Sequence, residues 1–253
     1  MTDLSISVPW VLGLALAVTR SAALISMTSL ISRSLPGMAR SVIAIAFALV
    51  IAEPIATVDA TTADLMALTV MNLLLGGILG WFLGLFVSMF PVAGSLVDAT
   101  SGVTLGSVFD PDAGTTPGPF TLFYQLGGQT LIVVLGGFAV VVQVLWASTQ
   151  VIPLDGALGS LNSLGAASTD AVSSMFQRGV ELAMPVIAVL FVAEMAFGLL
   201  SRLAPGVNMF LIALPLKTLM VVSMIGSAAV LFPRFADQAL ASGIDTVERL
   251  LGG

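Results

Sequence analysis

The sequence predicts an all-α, polytopic membrane protein built from about six apolar segments folded as broken helical hairpins. Three observations carry that expectation. Of 253 residues, 58% are hydrophobic and 9% charged, whereas soluble domains carry about 25% charged residues; the mean hydropathy is +1.11. Several uncharged runs exceed the roughly 20 residues needed to span a bilayer. Proline and glycine interrupt those runs, and irregular backbone at membrane depth survives only where protein or a water-filled cavity satisfies it. One domain covering residues 1–253 is expected, packed tightly against itself or against partners.

Composition also excludes. There is no cysteine and no histidine, which removes disulfides, thiolate metal sites and the commonest general base. The net charge of −6 contains no basic run, so nucleic acid is not an expected partner. Asp3 stands where a cleaved signal peptide would carry basic residues, and Arg20 interrupts the first apolar run, so the segment is read as part of the mature protein. The sequence contains no GxSxG, HExxH or phosphate-binding glycine loop. Neither an enzyme nor a cofactor or metal is expected.

The first segment runs from Val8 to Ile31 and encloses Arg20. The second, Val42 to Ala52, is short for a span and ends at Glu53-Pro54. The third, Leu65 to Val97, is uncharged and divided near its end by Pro91 and Gly94. The fourth, Ala113 to Leu154, is uncharged and punctuated by Gly127-Gly128 and Gly136-Gly137. The fifth, Leu182 to Leu200, encloses Glu194, with Arg178 and Glu181 at its edge. The sixth, Val207 to Phe232, contains Pro215 and Lys217. Residues 98–120 and 155–174 are rich in Gly, Ser, Thr and Asp, and irregular structure is expected there. Loop arginines divide evenly, with Arg33, Arg40 and Arg202 on one side and Arg178, Arg234 and Arg249 on the other, so charge fixes no orientation.

Gly76, Gly80 and Gly84 form a GxxxGxxxG ladder. Glycines four apart share a helix face and admit another backbone, either within the chain or at a subunit interface. Arg20, Glu194 and Lys217 lie in apolar surroundings, where a charge at mid-depth costs about 2.5–3.5 kcal/mol on insertion scales. Three readings stay open for them: a structural pair such as Lys217 with Glu194, a proton or ion path, or contacts with partner subunits. Pro215 removes a backbone donor, so the carbonyl of Leu211 is freed. A half-helix ending near Leu214 would then present its negative end to the Lys217 ammonium. The chain has twelve methionines; these adaptable side chains suit core packing or walls around a passing polypeptide.

The stretch 181–222 resembles the FliR family of flagellar export-gate proteins and its homologues in virulence-associated type III secretion. The family's ordered pattern appears as Pro185, Gly198, Arg202, Pro205, Asn208, Phe210, Pro215, Leu216 and Lys217. Upstream, Ala93, Gly94, Asp98 and Gly102 match its Ala-Gly-x-x-x-Asp-x-x-x-Gly, and Asp110 and Pro111 match its Asp-Pro loop. Ser148 and Pro153, then Arg20, Pro36 and Arg40, fit further positions. The resemblance covers nearly the whole chain. Departures stand at Asn72, where the family often has Glu, at Phe138, where it often has His, and at Gly206, where it has Gln.

The resemblance implies a core subunit of the flagellar type III export gate, in the bacterial inner membrane at the flagellar basal body. FliP-like and FliQ-like subunits are the implied pore partners, with an FlhB-like subunit beside them, membrane lipid around them, and unfolded export substrates passing through. Leu105, Val108, Phe109, Asp110 and Pro111 then fall on the family's pore plug. Two alternatives remain: a secondary transporter using Arg20, Glu194 and Lys217, and a purely structural membrane scaffold.

Overall fold

The computed structural model describes residues 8–28, 36–55, 61–104, 116–156 and 164–252. Among them every regular element is a helix: α1 (Val8–Met27), α2 (Gly37–Ile51), α3 (Thr62–Val87), α4 (Met89–Ser101), α5 (Pro119–Val134), α6 (Gly137–Val151), α7 (Leu164–Leu203), α8 (Met209–Ala229) and α9 (Phe232–Gly252). Four stretches are long and apolar enough to cross a membrane: α1, α3, Ala167–Leu203 within α7, and Met209–Gly226 within α8. A fifth is added if α5 and α6 form one broken span. With the short apolar α2, these account for the six apolar segments of the sequence. At 15 residues, α2 is about 22 Å long, less than the roughly 30 Å hydrocarbon core.

One suggested break falls where glycine placed it, at Gly136-Gly137; the others do not fall where proline and glycine suggested. The third segment divides at Ser88, and Pro91 sits in the first turn of α4, where its missing N–H has no intrahelical partner to lose. The fourth divides at Leu135-Gly136, with Gly136 at φ +94°, a left-handed position that favours glycine. Gly127-Gly128 stay inside α5. The stretch 155–174 is only partly irregular, because α7 starts at Leu164 and continues for 40 residues. Small polar residues hid a helical stripe there: Ala171, Met175, Leu182, Val186 and Leu190 are buried at helix-compatible spacing.

The chain divides into two compact units. The first comprises Met1–Val87, Gly136–Val172 and Leu240–Gly253. Its core gathers Leu16, Ala17 and Leu24 of α1, Ala48 and Ile51 of α2, Leu79 and Leu83 of α3, and Val141, Val144 and Leu145 of α6. The stretch after α2 returns to the start of α1, where Ile55 N–H donates to the Pro9 carbonyl at 3.2 Å.

The second unit comprises Ser88–Leu135 and Ser173–Ala239. Here α4 packs against α5, and α8 touches α4. Phe90, Phe123, Tyr124 and Phe232 form an aromatic cluster with ring centroids 5.0 to 6.1 Å apart. Edge-to-face pairs of this kind add about 0.5–1.5 kcal/mol beyond area burial.

Candidate functional sites

In the first unit, the glycine ladder sets how closely two helices approach. Side chains at Gly76 and Gly80 would collide with the backbone carbonyls of Arg20 and Leu24. Gly84 is buried on the same helix. Gly76 and Gly80 therefore serve the α1–α3 contact within the chain, as small residues do between membrane helices. Thr28 Oγ1 reinforces it by donating to the Gly80 carbonyl at 3.3 Å.

That close approach places Arg20, wholly buried, against neutral oxygens. Nε donates to Asn72 Oδ1 at 2.9 Å, and Nη1 to the Ile152 carbonyl at 2.9 Å and Ser148 Oγ at 3.3 Å; Nη2 reaches the Pro153 carbonyl at 3.4 Å. Asn72 Nδ2 donates in turn to the Leu154 carbonyl at 2.9 Å. Three successive carbonyls, 152 to 154, thus face one guanidinium and one carboxamide. They lie at and just beyond the C-cap of α6, near the partial negative charge of that helix end. No carboxylate pairs with Arg20 among the described residues; the helix end and the Asn72 oxygen take that role.

In the second unit, α5 begins at Gly118-Pro119 without a side-chain cap of its own. The cap comes from α4. Asp98 Oδ1 accepts from Phe120 N–H at 3.1 Å, and Oδ2 from Thr121 N–H at 2.8 Å and Thr121 Oγ1 at 2.6 Å. A carboxylate at a helix N-terminus satisfies orphan donors and complements the dipole. Gly94 lets the pair close up, since a side chain there would meet the backbone of Phe120 and Thr121. The family pattern Gly94…Asp98 is thus a helix-pairing device: one residue makes room and the next turn's residue caps.

The hairpin of α7 and α8 carries Glu194 and Lys217. Lys217 Nζ donates to Glu194 Oε2. Lys217 is buried while the Glu194 side chain is 63% exposed. α8 runs unbroken through Pro215, so no half-helix ends at Leu214, and the ammonium bonds a carboxylate rather than a carbonyl end. Away from water, the remaining backbone bonds have no competing partner, which keeps a proline-bearing membrane helix intact. Arg202 lies exposed in the last turn of α7, favourable to the helix dipole. Pro205 lies in the turn that follows, Asn208 is the N-cap residue of α8, and Phe210 in its first turn is exposed. Leu105, Val108, Phe109, Asp110 and Pro111 lie outside the described residues.

Sequence reasoning passed over Asn72 and Ser148 as site residues. Their signal is the family pattern, in which Ser148 and Pro153 match and Asn72 stands where Glu is common; nothing in the sequence joins those positions to Arg20. The Glu194–Lys217 ion pair belongs to the second unit and Arg20 to the first.

A sequence model of the bacterial export proteins, family 1, matches residues 11–243. The flagellar biosynthetic protein FliR of Escherichia coli is 25% identical over 221 residues, 86% of this chain and 84% of that protein. The surface presentation of antigens protein SpaR of Shigella sonnei is 28% identical over 137 residues, 54% of this chain and 52% of SpaR. The secretion system apparatus protein SsaT of Salmonella typhimurium is 29% identical over 133 residues, 51% of this chain and 50% of SsaT. The match thus spans about half the length of SpaR and SsaT and most of FliR.

Proposed function

The chain belongs to the bacterial export proteins, family 1, and from that membership we propose that it is a core subunit of the flagellar type III protein export gate. In this reading it is a multi-pass protein of the bacterial inner membrane, seated at the flagellar basal body. It forms part of the pore through which unfolded flagellar subunits leave the cell. FliP-like and FliQ-like subunits complete the pore and an FlhB-like subunit sits beside it. The observation that carries the reading is the family match from residue 11 to 243.

The surface is consistent with such an assembly. Only 11% of the Met209–Gly226 stretch is buried by its own chain. Large apolar side chains of α7 and α8, among them Phe191, Val192, Leu211 and Leu219, are exposed. Co-expression with FliP-like and FliQ-like subunits, followed by native mass measurement, is the test. A stable hetero-oligomer is expected; a monodisperse monomer that never joins them contradicts the proposal.

Within this function, residues 105–111 are the pore plug. Leu105, Val108 and Phe109 are apolar residues between two apolar segments, and apolar side chains close a narrow pore by dewetting and contact. Deleting residues 105 to 109 is expected to raise ion conductance of the assembled complex with assembly intact. Poor assembly without a specific leak would make the segment an anchor instead.

A further inference from the structure

The α7–α8 hairpin continues into α9, and two contacts fix the register of its arms. Lys217 meets Glu194, and Arg178 Nη1 donates to the Gln238 carbonyl at 2.9 Å. Pro185 stands seven residues after Arg178, and Leu231 stands seven before Gln238. Both are therefore about 10 Å along their helices from the same contact, at one level of the hairpin. At that level both arms lose helical hydrogen bonds. Pro185 offers no N–H to the Glu181 carbonyl. In the facing arm α8 ends at Ala229 and α9 starts at Phe232. Leu231 N–H donates to the Ala228 carbonyl at 3.0 Å, a turn tighter than α-helical, and Pro233 removes the donor that would reach the Ala229 carbonyl. Prolines and tight turns inside long helices are where bending concentrates.

The coincidence of level matters because the arms are tied together. Two helices joined side by side bend only where both are weakened, since an intact helix splints its neighbour. Pro215 shows the contrast: residues 196–201, which the register sets opposite it, contain no proline and lie within α7. The hairpin is also held differently on the two sides of the weak level. On one side, a side chain at Gly179 would collide with Val92, so α7 lies directly on α4, and Phe232 is locked among Phe90, Phe123 and Tyr124. On the other side, the Lys217–Glu194 ion pair joins the two helices to each other, and Phe191, Val192, Leu211 and Leu219 are exposed.

We propose that the hairpin carries one hinge built from both arms, Pro185 in α7 and Val230–Pro233 between α8 and α9, about which the arm bearing the ion pair swings as a unit while the base stays docked on α4 and α5. Hinges of this kind are a few positions that absorb the bend while the packed parts on either side stay rigid. The ion pair keeps the two arm helices in register during the swing. The hinge stands on the geometry alone; its use rests on the export-gate reading, in which the swing lets the arm yield to a passing polypeptide.

The chain has no cysteine, so spin labels go only where cysteine is introduced. Electron–electron distance distributions would be recorded on the full chain in lipid nanodiscs. Thr130→Cys with Ser201→Cys reports α5 against the arm tip, and Thr130→Cys with Ser173→Cys reports α5 against the base; all three positions are exposed. A change in bend of about 20°, the scale of a proline kink, at the end of an arm about 27 Å long moves its tip about 9 Å. The tip pair is expected to spread over about that range and the base pair to stay narrow. Pro185→Ala combined with Pro233→Ala restores an N–H in each arm and is expected to narrow the tip distribution about twofold or more. Either single replacement restores one splint and is expected to narrow it as well, which decides the matter if the double variant does not fold. Pro215→Ala is expected to change nothing. A wild-type tip distribution as narrow as the base pair's, an unchanged width in the proline variants, or equal narrowing by Pro215→Ala overturns the hinge. In cells, the double variant is expected to assemble as wild type does and to secrete several-fold less flagellar subunit. Wild-type secretion by that variant overturns the use of the hinge in export, and a wild-type chain without any part in export overturns the functional reading; neither touches the distances, which decide the hinge itself.

Discussion

Replacing Arg20 tests how the first unit is held together. The guanidinium donates to Asn72 Oδ1 and the Ile152 carbonyl, both at 2.9 Å, and more weakly to Ser148 Oγ and the Pro153 carbonyl at 3.3 and 3.4 Å. In Arg20→Met the stem volume is largely kept, and the two short bonds vanish inside a closed site. Each orphaned buried acceptor costs about 1–3 kcal/mol, so two cost about 2–6 kcal/mol. Relief of a buried charge offsets part of this, which puts the expected loss near the low end, about 2 kcal/mol. For a domain of this size that is about 4–8 °C in melting temperature. Arg20→Lys discriminates further. The ammonium keeps the full desolvation cost but is a point charge on a flexible stem, without the planar fork that spans separated acceptors. It is expected to destabilise at least as much as methionine. Trp10, Trp81 and Trp146 all belong to the first unit, so intrinsic fluorescence during thermal unfolding in detergent reports on it. A lysine variant melting within about 1 °C of wild type would refute the role assigned to the fork.

Gly80→Val is expected to lose about 1–3 kcal/mol, or to force α1 and α3 apart, because its side chain would meet the Leu24 backbone; thermal unfolding checks it, and an unchanged midpoint would contradict the close contact. Asp98→Ala is expected to cost about 2 kcal/mol as a lost helix cap. Asp98→Asn should do nearly the same, since both carboxylate oxygens accept and an amide nitrogen cannot; a silent Asn variant in denaturant unfolding would refute this. Tyr124→Phe is expected to be neutral or stabilising by about 1 kcal/mol, because the buried Tyr124 hydroxyl has no partner among the described residues; a clear drop in melting temperature would show that it has one.

The fold class was legible because the bilayer imposes it: apolar length and missing charge leave few alternatives. Helix ends were less legible. Pro91 and the Gly127-Gly128 pair suggested breaks, yet proline is tolerated in a first turn and helices hold glycine when a neighbour packs onto it, as the Phe90 ring does at Gly128. The break at Gly136 depends on a positive φ, which sequence alone does not assign to one glycine among several. The helix α9 escaped notice because its residues alternate in polarity. Phe232, Phe235, Ala236, Ala239 and Val247 are buried, while Arg234, Asp237 and Asp245 are exposed. That stripe is a helical period and was readable. The partners of Arg20 were not. They stand 52 and 128 residues away, and no local pattern joins them.

Secretion tests the central claim most directly. In a strain lacking this gene, the amount of flagellar subunit protein in the culture supernatant would be measured with and without the wild-type chain supplied in trans. The account predicts that export is lost in the deletion strain and restored by the chain. Undiminished export in the deletion strain would contradict it.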